Sequence, residues 1–260
     1  MDTRYIVGID LGTTNSALAY VDNTAPEESA RIEVGGVPQL VNPGEMEDRS
    51  LLPSFLFVPG EMDFPKGSLN LPWDRNPQFV IGELARKRGA ENPARLISSA
   101  KSWLSYAAVN RAAPILPWQS PDEVPKLSPV DASARYLEYL RSVWDNRMAK
   151  KAPELALSEQ DIFLTVPASF DEEARELTLR AAEQAGLRRV TLLEEPSRLL
   201  LLDRDSRRRL AQARQGRRPD SGLRRRRWHD RLQFDHGIGR ERGTVPAPRR
   251  GRGSHSARRR

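Results

Sequence analysis

The amino-acid composition changes abruptly after residue 196, and this change limits what the chain can fold into. Residues 197–260 contain 21 Arg, no Lys and six acidic residues, a net charge of +15, which leaves residues 1–196 with a net charge of −8. One folded domain rarely divides its charge in this way. We therefore take residues 1–196 as the globular part. We predict that residues 197–260 form a disordered basic tail, because so little apolar surface cannot offset the entropy of ordering.

The residue types that are missing exclude several classes of function. The chain has no Cys, which excludes disulfides, thiolate zinc sites and cysteine nucleophiles. Its three His (His229, His236 and His255) all lie in the basic tail, so residues 1–196 contain no His-based triad or His metal cluster. No apolar run approaches the ~20 residues that span a bilayer, and the N-terminus does not resemble a signal peptide. We expect a cytoplasmic protein with no membrane partner.

The pattern of apolar runs and breakers in residues 1–196 predicts an α/β fold. Strands are predicted at residues 5–12, 16–21, 31–34, 51–58, 79–81, 161–166 and 190–193, and helices at 94–103, 130–149 and 171–186. A Pro/Gly-rich loop is predicted at 62–77, and a connector with five prolines at 112–129.

The most informative stretch is the predicted hairpin at residues 8–16 (GIDLGTTNS). Asp10 places a carboxylate at the end of a strand, and Gly12 lets the backbone approach a ligand. Backbone N–H groups in such a turn form an anion-binding nest, to which Thr13 and Thr14 add hydroxyl donors and Asn15 an amide. A carboxylate beside bound phosphates suits hydrated Mg²⁺. Taken alone, the stretch is equally compatible with an ordinary Asx-type hairpin turn.

Four stretches in order resemble the heat-shock protein seventy family (DnaK-like molecular chaperones) of the actin-like ATPase superfamily. Residues 8–16 resemble its first phosphate motif. Residues 81–82 (IG), 92–93 (NP) and 99–101 (SAK) resemble the segment that carries its catalytic lysine. Residues 164–170 (LTVPASF), with the helix that ends in AGL at 185–187, resemble its connecting strand and helix. Residues 192–196 (LLEEP) resemble its Asn-Glu-Pro turn, with Glu194 in place of the asparagine.

This resemblance implies a fold, cofactors and partners. Residues 1–196 would form the first lobe of an actin-like (ribonuclease H-like) ATPase, a mixed sheet with flanking helices and an insertion subdomain at about residues 40–120. The family's activity is ATP binding and hydrolysis coupled to protein folding. The cofactors would be ATP and Mg²⁺. The partners would be ATP or ADP and unfolded polypeptide clients, together with co-chaperones.

The resemblance also assigns roles to single residues. Asp10 would orient Mg²⁺ and its waters, while Gly12, Thr13, Thr14 and Asn15 would grip the β- and γ-phosphates. Lys101 would approach the γ-phosphate and the attacking water, and Glu195 would help to position metal-bound water. Pro167 and Arg175 would relay the nucleotide state to the substrate domain. These roles suit phosphoryl transfer, which depends on positioning and charge neutralisation.

Each of these later residues also has a simpler interpretation when taken alone. Lys101 is then an exposed helix lysine, and Glu195 a loop carboxylate before proline. Pro167 is then a strand terminator, and Arg175 a solvated helix charge.

The basic tail departs from the family, whose members continue with a second lobe and a second phosphate motif. If the codons for residues 223–234 are read one base late, they permit the string Cys-Asp-Val-Gly-Gly-Gly-Thr-Thr-Asp-Phe-Ser-Leu, which resembles that missing motif. Our hypothesis is that a single-base shift near Pro196 produced a truncated frame, in which ATP binding is weak or absent and the chain is inactive. The alternative is a nucleic-acid or polyanion-binding arm, because Arg clusters neutralise phosphates.

Overall fold

A mixed six-stranded sheet forms the centre of the fold in the computed structural model, which describes residues 3–26, 28–150 and 152–195. Its strands are β1 (Tyr5–Leu11), β2 (Asn15–Asp22), β3 (Glu33–Val34), β6 (Leu52–Pro53), β10 (Asp161–Val166) and β11 (Val190–Glu194). The sheet order is β11-β10-β1-β2-β3, with β6 also pairing with β2. β1 runs antiparallel to β2 and parallel to β10, which is parallel to β11. The mixed sheet agrees with the fold that the family resemblance implies.

Two smaller sheets lie between β3 and the second half of the chain. The first is a hairpin of β4 (Val37–Asn42) and β5 (Glu45–Arg49). The second has the order β8-β7-β9 and consists of β7 (Phe55–Phe57), β8 (Val80–Ile81) and β9 (Leu96–Ser98).

Four α-helices complete the described part of the chain: α1 (Glu83–Glu91), α2 (Ala100–Leu104), α3 (Pro129–Trp144) and α4 (Glu172–Gln184). A π-helical turn (Asp145–Ala149) extends α3, and 3₁₀ turns lie at Pro93–Arg95, Pro153–Leu155 and Leu157–Glu159. α3 begins with a capping box, because the Ser128 hydroxyl accepts from the Asp131 backbone N–H while the Asp131 carboxylate accepts from the Ser128 N–H. None of the helices in the described ranges is long and apolar enough to cross a membrane.

The hydrophobic core lies against the buried face of β1, whose side chains alternate between buried and half-buried. Val7 and Ile9 are fully buried, and α3 contributes Leu137 and Leu140, which are buried completely as well. This packing keeps β1 fixed, and with it the turn that follows.

The predicted strands and two of the three predicted helices are confirmed, with small changes at their ends. The predicted strand at 51–58 is two short strands, β6 and β7, which belong to different sheets. The predicted helix at 94–103 is wrong over its first half. Pro93–Arg95 forms a 3₁₀ turn and residues 96–98 pair with β7, so only α2 is helical there. Sequence inspection missed α1, which is mostly polar and buries only four residues, and the β4–β5 hairpin.

Candidate phosphate-binding site

The carboxyl ends of three parallel strands form the edge on which the candidate site is built. In the sheet register, Ile9 of β1 lies beside Leu164 of β10, and Thr165 lies beside Leu193 of β11. The next residue on β1, Asp10, therefore meets Thr165, whose hydroxyl donates a hydrogen bond of 2.7 Å to Asp10 Oδ1. This bond holds one carboxylate oxygen of Asp10 at the edge where Glu195 follows β11.

The turn between β1 and β2 is closed so tightly that only glycine fits at position 12. A Cβ at Gly12 would lie 2.1 Å from the backbone oxygen of Asn15. The backbone N–H of Ser54 donates to the Thr14 carbonyl oxygen at 2.8 Å, which ties the turn to the chain between β6 and β7. The side chains of Thr13, Thr14 and Asn15 are exposed. The turn is thus held from behind while its polar side chains remain open to solvent.

Lys101 and Glu195, which are 94 residues apart in sequence, form an ion pair. Lys101 Nζ lies 2.7 Å from Glu195 Oε1, and the lysine side chain is only 5% exposed, whereas that of Glu195 is 36% exposed. Lys101 is the second residue of α2, and Ser99 before this helix has a left-handed backbone with φ of 56°. The simple interpretation of Lys101 as an exposed helix lysine does not describe this structure, because a buried ammonium needs a partner.

Pro167 and Arg175 lie on either side of the turn that joins β10 to α4. Pro167 follows the last residue of β10, and its carbonyl oxygen accepts from the Phe170 N–H at 3.1 Å. Arg175 Nη2 donates to Glu194 Oε1 at 2.9 Å, and its Nε donates to the Phe170 carbonyl oxygen. Arg175 therefore contacts the residue that precedes Glu195, rather than being only a solvated helix charge.

A cleft of about 500 Å³ opens beside the turn and contains side chains that sequence inspection missed. Thr14 and Asn15 line it together with Arg49, Ser50, Leu51, Pro53, Phe55, Glu83 and Arg86. Glu83 is buried and lies 2.7 Å from Arg86 and 3.5 Å from Arg49. The hydrogen bond from Arg86 is the main cause that lowers the pKa of Glu83, and burial opposes it. The three-residue spacing of Glu83 and Arg86 signals their pairing, but nothing local signals their place beside Thr14.

Arg111 is another side chain that sequence inspection missed. Its guanidinium is 3% exposed and forms two hydrogen bonds to the Asp171 carboxylate, at 3.0 and 2.9 Å. Asp171 is also the N-cap of α4 and accepts from the Ala174 N–H. The hydrogen bond from Arg111 and that from the Ala174 N–H lower the pKa of Asp171. No sequence pattern marks this pair, because its partners are 60 residues apart.

The carboxylates at the sheet edge suit a hydrated Mg²⁺ ion, which needs few protein ligands, better than a metal ion that is bound only by protein side chains. Within residues 3–26, 28–150 and 152–195 there is no group of three His, Cys, Asp or Glu side chains that could hold a metal ion. Mg²⁺ commonly keeps several waters and uses only one or two carboxylates together with substrate phosphates. Asp10 and Glu195 can supply such carboxylates.

Comparison with known proteins finds relatives of one family. Over 199 residues, 75% of this chain, the sequence is 32% identical to "Chaperone protein HscA" of Salmonella agona and of Salmonella paratyphi C, and 31% identical to that of Cronobacter sakazakii. These are heat-shock protein seventy chaperones. Over the matched region, the chain is similar to the N-terminal part of heat-shock protein seventy chaperones. No protein-family model matches the chain.

The match covers 27% of the length of these relatives, so this chain spans about a quarter of an HscA chaperone. The heat-shock protein seventy relatives imply nucleotide binding as a property of that family. The Arg-rich segment lies outside the described residues, and so do His229, His236 and His255.

Proposed function

We propose that residues 3–195 form the first half of an ATP-phosphate clamp of the heat-shock protein seventy type. The observation that carries this proposal is the Lys101–Glu195 ion pair of 2.7 Å, which joins two of the four family motifs. The hydrogen bond between Thr165 and Asp10 joins two of the four motifs in the same way. A turn built only for chain reversal would not require these contacts between distant motifs.

The residues of the site divide the work of binding a triphosphate. The backbone N–H groups of residues 12–15 and the hydroxyls of Thr13 and Thr14 bind phosphate oxygens. Asp10 would hold hydrated Mg²⁺, and that ion would supply neutralisation of the phosphate charge. Lys101 has three N–H donors, so it can keep its bond to Glu195 and still donate to the γ-phosphate. Glu195 accepts a hydrogen bond from a water near that phosphate and positions it.

Pro167 and Arg175 belong to the same proposal as residues that relay the nucleotide state. Pro167 lies at the turn after β10, and Arg175, in the first part of α4, contacts Glu194 beside Glu195. In a complete chaperone, this turn would pass the state of the site to a polypeptide-binding domain. We therefore propose unfolded polypeptide clients and co-chaperones as the partners in the family's cycle of ATP binding and hydrolysis. We propose that this cycle takes place in the cytoplasm.

We further propose that the 260 residues do not carry out that cycle. Residues 197–260 contain no Gly-rich phosphate motif in the frame given, and our hypothesis of a shifted frame near Pro196 explains both this and the high Arg content. Contacts with parts of the nucleotide far from the reacting phosphate normally supply the binding energy that positions this phosphate. Half of a phosphate clamp supplies little of that binding energy. The DNA sequence of the gene tests the hypothesis, which fails if the alternative frame meets a stop codon before the Gly-Gly-Gly codons.

Calorimetry of the 260-residue chain with Mg·ATP tests the half clamp. We expect dissociation constants no tighter than roughly 1 mM, or about −4 kcal/mol, and loss of this binding in Asp10→Asn. Asp22→Asn is the matched control, because Asp22 pairs with Tyr5 at the opposite end of the same hairpin. Measurable binding that is equal in both variants would remove the support for the site. Sub-millimolar binding that Asp10→Asn abolishes would instead refute the proposed inactivity.

A second candidate function is polyanion binding by residues 197–260, which their net charge of +15 favours. Such binding should weaken steeply as salt rises and should survive Lys101→Ala. ATP hydrolysis by an intact enzyme would be lost in that variant. The two assays therefore separate the two functions.

A further inference from the structure

The first turn of α4 contacts both chain segments that supply the Lys101–Glu195 pair. At its start, the N-cap Asp171 binds Arg111, which lies in the loop that follows α2, the helix that carries Lys101. One turn later, Arg175 binds Glu194, the residue next to Glu195. We propose that Arg111 and Glu194 are positioning residues, which hold Lys101 and Glu195 against each other through this one helical turn.

The contact on the lysine side is stiff. Arg111 is 3% exposed and binds Asp171 with both terminal nitrogens, a planar geometry that a lysine cannot reproduce. Its loop is also packed against α2, since the Trp103 ring lies 5.0 Å from the Trp118 ring and 5.6 Å from the Tyr106 ring. A displacement of Arg111 would therefore move α2 as well.

The contact on the glutamate side acts over a single peptide unit. Glu194 is the last residue of β11, where Val166 of β10 is its register partner. Arg175 fixes the Glu194 side chain and, through its Nε, also binds the Phe170 carbonyl oxygen. Since Glu195 lies beyond the last residue of β11, this ion pair restrains the backbone from which Glu195 extends.

The two contacts with α4 are important because the Lys101 ammonium is buried and depends on Glu195. Lys101 is 5% exposed, and its contact with Glu195 is the ion pair that compensates its burial. If either contact with α4 is lost, the two charges separate and water enters between them. The consequence for ATP rests on the proposed function, but the separation itself takes place without any nucleotide.

The test is the rate at which the Lys101 ammonium protons exchange with water, measured by ¹⁵N NMR on the nucleotide-free, full-length chain. The chain has six Lys, so the ammonium signals can be assigned one by one. Glu194→Gln removes one contact. Asp171→Ser removes the two hydrogen bonds on the other side, leaves Arg111 only its 3.4 Å ion pair with Glu173, and keeps an N-cap hydroxyl for α4. We expect Lys101 exchange to accelerate about threefold or more in each, which corresponds to roughly 0.7 kcal/mol at tenfold per 1.4 kcal/mol.

Two controls make the result specific. Glu138→Gln removes a matched surface ion pair of 2.8 Å within α3 and should leave Lys101 exchange unchanged. Lys87, whose ammonium donates to the Val41 carbonyl oxygen, is the internal reference in every spectrum. Glu195→Gln should accelerate Lys101 exchange at least as much as the two test variants.

Rescue distinguishes positioning from general loss of stability. Arg175→Glu combined with Glu194→Arg should restore slow exchange relative to Arg175→Glu alone, while urea unfolding midpoints report stability separately. Unchanged exchange in both test variants, or equal acceleration in the Glu138→Gln control, would overturn the proposal. Because no nucleotide is present, a failure here leaves the ATP-binding proposal to its own calorimetric test.

Discussion

Removing either partner of the Lys101–Glu195 pair should destabilise the fold, but by unequal amounts. The lysine side chain is 5% exposed and the glutamate side chain is 36% exposed. Glu195→Gln leaves a buried positive charge with only a neutral acceptor. Lys101→Met leaves a carboxylate that water can reach, and it buries no unpaired charge.

The magnitude follows from the distance and the exposure. Two unit charges 2.7 Å apart attract by about 1.5 kcal/mol in bulk water, and by more where the dielectric constant is lower. Breaking a fully buried pair costs about 3–5 kcal/mol, and access of water to Glu195 reduces that figure. We expect Glu195→Gln to lose about 2 kcal/mol of unfolding free energy and Lys101→Met less than about 1 kcal/mol.

Urea unfolding followed by tryptophan fluorescence measures both losses on the same chain. The double variant Lys101→Met/Glu195→Gln should be no less stable than Glu195→Gln alone, because it no longer buries an unpaired charge. If Lys101→Met cost more than Glu195→Gln, the reasoning from burial would be refuted.

Three further predictions follow from other parts of the structure. Gly12→Ala should cost about 2 kcal/mol or more in urea unfolding, because its Cβ would overlap the Asn15 backbone. Gly44→Ala meets no atom within 4 Å and should cost only the left-handed backbone penalty of about 1 kcal/mol; equal costs would contradict the overlap. The hydrogen bond from Tyr20 to Glu33 is the main cause that raises the pKa of Tyr20 to about 12. The stability that this hydrogen bond contributes to the fold is therefore full below about pH 10 and is lost as pH rises through about 12. Glu33→Ala should lower the Tyr20 pKa toward 10.0 in an ultraviolet titration. Ser128→Ala should lose about 1 kcal/mol of unfolding free energy by breaking the α3 capping box. Ser158→Ala should change it little, because the half-buried Ser158 only donates a 3.3 Å hydrogen bond to the neighbouring Glu159 carboxylate.

Much of the central sheet could be predicted because its signals are local. β1 alternates buried and half-buried residues, β10 is a short apolar run, and α4 has an N-cap and an acidic first turn. The segment at residues 94–103 was misassigned for the opposite reason. Its residues 96–98 are extended because they pair with β7, a partner about forty residues earlier in the chain. Helix propensity read within a short window contains no information about that partner.

Sequence alone showed the change of charge after residue 196, pointed to a turn at Gly12 and supplied the motifs from which the candidate site residues were predicted. Charge balance, glycine geometry and short motifs are properties of neighbouring residues, so they can be recognised without coordinates. Tertiary structure decided that Lys101 is buried against Glu195, that Arg111 binds the cap of α4, and that Arg49 and Arg86 line the cleft beside Thr14. These contacts depend on sheet register and packing between segments that are distant in the chain, and only the folded backbone brings such segments together.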